Sequence, residues 1–207
     1  MKRVPLSKDN AYALGRSSVT HTERDFPSLV VFSTGDATAS VIGGAVGGAI
    51  AGASGDKSIN EQIKSVGTPN PNNLFEEMIT EHLKAEFQLT KVLSEGIVLK
   101  GKKQRLDLEN SEIETMFVLD SSVSWMCSYL PMNWTRYMFQ FHFFVTITDA
   151  DTQTIIYSER FHWKTPKSIG FPKMKEFLTD KDKGIEAQIR AACIDASEHF
   201  KSQLKSK

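Results

Sequence analysis

The sequence predicts an α+β fold: a two-layer sandwich, a mostly antiparallel sheet with two main helices on one face and a Gly/Ala-rich insertion. Three observations predict it. Phe139, Phe141, Phe143, Val145 and Ile147 alternate with Gln140, His142, Thr146 and Thr148, the period of a strand with one buried face; only Phe144 breaks the pattern. Ile185, Ile189, Ala192, Cys193, Ala196, Phe200 and Leu204 recur at helical spacing and form one apolar stripe. Leu74, Phe75, Met78, Ile79, His82, Leu83 and Phe87 keep the same period. Two amphipathic helices need a common apolar surface, and a half-buried sheet supplies it.

The elements follow in order. Met1, Lys2 and Arg3 resemble the charged start of a signal peptide, but residues 4–25 are polar and hold no Cys to accept a lipid. Residues 1–25 therefore read as an N-terminal tail or linker with a possible first strand, and 26–207 as one α+β domain. Taken as given, the sequence implies a cytoplasmic protein; a removed leader would imply the periplasm or an outer-membrane anchor. Pro27–Ser33 is a short β-branched run that reads as a buried strand. Thr68–Asn73 is a loop, from which a helix is expected to start with Asn73 as N-cap and Glu76 in the capping-box position. Val92–Val98 reads as a strand before the basic turn Lys100–Lys103, and extended chain runs from Ile113 through Leu119 and again from Val123 to Tyr129. Asp149–Gln153 is a turn, and Ile155–Trp163 returns as the hairpin partner. Pro166, Gly170 and Pro172 mark a loop, and Asp180–Gly184 leads into the last helix.

Residues 37–58 form the insertion, and its 37–53 portion carries no charge. Gly44, Gly48 and Gly52 fall four apart, with Gly43 and Gly47 as a second series beside them. On a helix this spacing lets another helix approach closely, so the segment is a candidate for membrane contact, helix packing or homo-oligomer formation. Each Gly costs a soluble helix about 1 kcal/mol relative to Ala, which favours a projecting loop as the alternative.

Chemistry-bearing motifs are scarce. The 207 residues balance 25 Lys+Arg against 25 Asp+Glu, which argues against a nucleic-acid partner. Gly52–Ser58 departs from a P-loop because Asp56 separates Gly55 from Lys57, so no nucleotide is expected. Asp149, Asp151 and Gln153 miss the glycine and closing glutamate of a calcium loop. The five histidines form no HExxH, and no GxSxG is present. No cofactor, metal or catalytic residue is assigned, and the chain reads as a non-enzyme. His142 and His162 should face each other across the hairpin. With Asp120 they would supply a hydrolase site only if folding built a deep pocket around them. A small-ligand or lipid site would need an apolar cavity between helices and sheet. Cys127 and Cys193 are either two buried free thiols or a bridge from sheet to last helix.

Read in order, several stretches resemble a family of uncharacterised bacterial lipoproteins. They are Phe26–Phe32, the Gly/Ala segment, Thr68–Pro71, Ser124 and Trp125, Tyr129–Pro131, Tyr137, Ile147–Tyr157 and Cys193. The likeness spans about residues 26–204. It implies a cell-envelope (lipo)protein acting by contact with an envelope protein or membrane surface, with no known activity. The family's lipidated N-terminal Cys has no counterpart here, and Phe161–Trp163 stands where the family carries a second Cys.

Overall fold

A long antiparallel meander forms the centre of the molecule, seen in a computed structural model that describes residues 3–14, 17–31, 57–87, 89, 91–92, 97–98, 117–130 and 132–205. Strand β5 (Phe117–Leu130) pairs with β6 (Asn133–Asp149), and β6 with β7 (Ile155–Lys164). The turn between β6 and β7 puts Gln153 in the left-handed region at φ 53°. Asp149 Oδ1 accepts from the Thr152 amide at 2.8 Å, which closes that turn.

Strand β1 (Ser18–Glu23) joins the free side of β5 in parallel, so the sheet is mixed. Three two-residue pieces complete it: β2 (Val30–Val31) on β5, and β3 (Lys91–Val92) and β4 (Ile97–Val98) on β1. The described sheet runs β3-β1-β5-β6-β7 and does not close into a barrel. Before β1 lies helix α1 (Lys8–Leu14). After β2 come α2 (Lys57–Ser65) and α3 (Pro71–Phe87); a 3₁₀ turn (Met174–Glu176) precedes α4 (Ile185–Lys205).

The two-layer packing follows from the alternation. Odd-numbered residues of β5 and β6 share one face, with Val123 opposite Phe143 and Trp125 opposite Phe141. Phe139, Phe141, Phe143, Val145 and Ile147 are all buried there, against Phe75, Ile79 and Leu83 of α3 and Ile189, Cys193 and Phe200 of α4, with Met78 half-buried beside them. Phe75 meets Phe143 at 4.7 Å between ring centres, and Tyr157 meets Phe200 edge-on at 5.4 Å. Phe144 sits on the opposite face, where the Arg160 guanidinium lies 5.2 Å from its ring centre. Its apolar surface is covered by a cation, which is why it interrupts the pattern without disturbing the core.

Two buried polar clips fix the helices to the sheet. Asn72 donates to the Asp25 carbonyl at 2.7 Å and accepts from the Val123 amide at 2.8 Å. Gln188 accepts from Thr165 Oγ1 at 2.8 Å and donates to the carbonyls of Lys183 and Gly170. Gly184 precedes α4 because a Cβ there would fall 2.2 Å from the Asp180 carbonyl oxygen.

Several elements differ from expectation. Residues 1–25 hold the expected first strand as β1, whose Val19, Thr20 and Thr22 are buried, and also a helix, α1, that was not expected. Of Pro27–Ser33, Val30 and Val31 pair as strand, residues 27–29 do not, and residues 32–33 lie outside the described residues. Helix α3 starts at Pro71, and its cap is Asn70, whose Oδ1 accepts from the Asn72 amide at 3.0 Å; Asn73 lies inside the first turn. Proline fits the first helical position, where its missing N–H costs nothing, and this moves the cap to the residue before it. Residues 57 and 58, read as the end of the insertion, already belong to α2. Residues 93–96, 99–116 and most of the insertion lie outside the described residues.

Candidate functional site

Helices α3 and α4 lie side by side over the sheet, and residues turned away from it line a groove of about 450 Å³. Helical spacing explains the lining. Phe75, Ile79 and Leu83 face the core, so Leu74, Met78 and His82 fall toward α4 and Glu77 and Glu81 toward solvent. From α4, Ile194, Ser197 and Glu198 complete it. Ile194 is 50% exposed, a large apolar side chain beside an apolar floor. The rim is acidic. Glu81 pairs with Lys84 at 2.6 Å, and Glu198 with Lys201 at 3.3 Å and His82 at 3.7 Å. Glu77 reaches the groove from the next turn.

A second concavity, about 370 Å³, opens where β1 passes the start of α3. His21, Glu23, Arg24, Asn73, Glu76 and Glu77 line it. His21 Nε2 lies 3.4 Å from Glu76 Oε1. Burial and the carboxylates of Glu23 and Glu77 push the Glu76 carboxyl up to about 7. Burial holds His21 below its ordinary value, with Glu23 acting the other way. The two shifts both disfavour the charged forms, which weakens this contact as an ion pair. Arg24 turns from the cleft to Asp120, with Nη2 at 2.7 Å from Oδ1, and Thr22 Oγ1 donates to the same oxygen at 2.8 Å.

The histidines foreseen across the hairpin do meet. His142 and His162 stack with ring centres 4.3 Å apart and planes 5° from parallel. Arg160 Nη2 lies 3.1 Å from His142 Nδ1. Burial, then neighbouring positive charge, keeps both imidazoles below their usual range. Asp120 does not join them: it opposes Thr146 on β6, whereas His142 opposes Ser124. The three residues do not share a pocket.

Among the described residues, the interior beside the central aromatic rings is close-packed. The space between helices and sheet beside Phe75, Phe143 and Phe200 is about 10 Å³, no more than one water requires. Cys127 and Cys193 are buried free thiols. Cys193 Sγ lies 3.7 Å from the Pro71 carbonyl oxygen, and burial pushes its thiol up to about 12. Gly43, Gly44, Gly47, Gly48 and Gly52 lie outside the described residues. Among the described residues, no group of three or more His, Cys, Asp or Glu could hold a metal ion, and no helix is long and apolar enough to cross a membrane.

Glu76 reads from the sequence as a capping residue, and it is the passage of β1 beside the start of α3 that brings His21 to it. The groove was hidden for another reason, since its acidic positions look like an ordinary solvated helix face.

No family model matches the chain, and no curated protein matches it. Among solved structures it is similar to the hypothetical protein CT253 from Chlamydia trachomatis, at 10% identity and a TM-score of 0.42, covering 93% of this chain and 99% of that one. It is also similar to a "putative lipoprotein" from Caulobacter crescentus, at 12% identity and a TM-score of 0.29, covering 64% and 85%. At these scores the likenesses carry no argument about role.

Proposed function

We propose that this chain is a non-enzymatic binding domain of the bacterial cell envelope that acts by docking a partner protein in the α3–α4 groove. The observation that carries the reading is the groove itself: an apolar floor of Leu74, Met78 and Ile194 between the carboxylates of Glu77, Glu81 and Glu198. Such a floor accepts one or two apolar side chains, and the rim selects a segment with Lys or Arg beside them. The envelope assignment is supported by the sequence resemblance to bacterial lipoproteins.

A labelled amphipathic helical peptide of Leu and Lys serves as probe, with its Leu/Glu counterpart as control. The Leu/Lys peptide should bind, the control should not, and Ile194→Asp should weaken binding by at least about tenfold, or 1.4 kcal/mol. Equal affinity for both peptides, or no effect of Ile194→Asp, would refute the groove reading. Fractionation of cells expressing the natural gene tests the compartment, and recovery in the cytosol alone would refute an envelope role.

A small polar ligand in the His21–Glu76 cleft is the second reading, favoured by a concavity of about 370 Å³ with an imidazole and a raised carboxyl 3.4 Å apart on its wall. Ligand-free and ligand-soaked proton spectra of His21 would reveal it, and an unperturbed resonance across a panel of amines and carboxylates would exclude it.

A further inference from the structure

The sheet face opposite the helices carries a block of nine positions in three rows: Met126-Gln140-Lys164, Ser124-His142-His162 and Ser122-Phe144-Arg160. Four of the nine can carry positive charge, three are neutral polar, two are apolar, and none is a carboxylate. Arg160, His162 and Lys164 are all exposed on β7, the edge strand, with Ser124 exposed at the far side. The nearest carboxylate along β5 is Asp120, one row beyond, and Arg24 already occupies it. Glu159, next to Arg160 in the chain, points into the helix layer and pairs with Arg3.

We propose that this face is a docking surface for the phosphate headgroups of an anionic lipid surface. Alternate residues of one strand place the three β7 side chains along about 13 Å, and three strands span about 10 Å. The block therefore spreads its charges over one sheet face at headgroup-like spacing. Orientation is built in as well. The acid-rimmed groove lies on the opposite layer, so an anionic surface attracts one side of the molecule and repels the other.

The histidines add a pH response. On β5 they face Ser124, on β6 Gln140 and Phe144, and on β7 Arg160 and Lys164, so no described carboxylate favours their charged form. Arg160 can only donate, which makes His142 Nδ1 the acceptor and places the neutral ring's proton on Nε2. Two imidazolium rings stacked at 4.3 Å repel each other unless an anion covers them. Phosphate therefore draws protons onto the pair, and by linkage binding tightens as the pH falls.

Sedimentation with vesicles tests this on the intact chain. Vesicles of phosphatidylglycerol and phosphatidylethanolamine should bind the protein, and vesicles of phosphatidylcholine should not. The double variant Arg160→Gln/Lys164→Gln should lose about fivefold per charge, roughly 25-fold in all. Lowering the pH to about 5.5 should strengthen wild-type binding by up to roughly 25-fold, and His142→Asn/His162→Asn should abolish that gain. Salt at about 0.5 M should release the protein. Arg160, His162 and Lys164 are exposed, so their substitution should leave the thermal melt close to wild type, which separates lost binding from lost folding. Ile194→Asp should bind vesicles normally, which separates this surface from the groove. Equal binding to neutral vesicles, or full binding by the double variant, would overturn the proposal. So would displacement by millimolar inorganic phosphate, the sign of a free-anion site, or equally tight binding of a single-stranded oligonucleotide.

Discussion

Phe143→Ala tests the two-layer packing at its centre. The side chain is 1% exposed, 4.7 Å from the Phe75 ring, 6.0 Å from Phe141 and 6.3 Å from Phe161. It therefore joins α3 to the middle of the sheet. A buried phenylalanine removes about 150–250 Å² from water, worth about 4–6 kcal/mol at roughly 25 cal/mol per Å², less what alanine retains. The void beside it is only about 10 Å³, so its neighbours are tightly packed and the rigid sheet cannot collapse into the gap. The expected loss is about 3–5 kcal/mol. Urea denaturation followed by tryptophan fluorescence measures it, with a lowered midpoint and an unchanged slope. Phe144→Ala is the matched control one residue on, half-buried under Arg160 on the other face, with an expected loss of about 1 kcal/mol. Near-equal losses for the two variants would refute the assignment of faces.

Gly184→Ala should cost about 1–3 kcal/mol in the same assay, because its Cβ would collide with the Asp180 carbonyl and shift the start of α4; a neutral result would place that loop differently. Glu76 keeps its proton to about 7 in the folded protein but releases it near 4.5 when unfolded, so the folded state binds more protons and stability falls as pH rises through that window. Glu76→Gln should remove that decline and stabilise the protein at pH 8 by about 1–2 kcal/mol after allowing for solvent screening, whereas His21 acts in the opposite sense below its ordinary value. Thiol counting on denatured, unreduced protein should find two free thiols, both slow to react before unfolding because burial raises them; a count of zero would show a bridge that this structure lacks.

Legibility followed the physics of burial. Strand β6 and helix α4 were visible because each buries one continuous face, which leaves period two or period 3.6 in the apolar residues. Strand β1 was legible only as an unplaced first strand, since Thr20 and Thr22 are buried polar residues and its partner β5 lies far along the chain. Local sequence does not encode a parallel pairing across such a distance. The α3 cap shows a finer failure: Thr68–Asn73 contains three asparagines, and only the fixed φ of Pro71 selects Asn70 among them. The histidine stack was readable because a short turn sets hairpin register, and register sets which side chains meet. The clefts were not, because their residues come from separate elements and resemble solvated surface when taken singly.

The same reasoning explains why a neutral chain can present two charged surfaces. Net charge averages over both layers, and the alternation that builds the core also sorts charge by face. From Phe139 to Ile147 the odd positions of β6 are buried and apolar, so His142 falls on the even face, where β7 contributes Arg160, His162 and Lys164. The helices have no such outlet on the sheet side and put their carboxylates outward, at Glu77, Glu81 and Glu198. A charge-reversal pair tests this separation directly. Glu77→Lys/Glu198→Lys should reject the Leu/Lys peptide and leave phosphatidylglycerol binding unchanged or stronger, because the new cations lie on the far layer. Arg160→Glu/Lys164→Glu should do the reverse, keeping the peptide and losing the vesicle. If either pair abolished both activities with the melt intact, the two faces would be one continuous surface, and the sorting of charge between layers would be wrong.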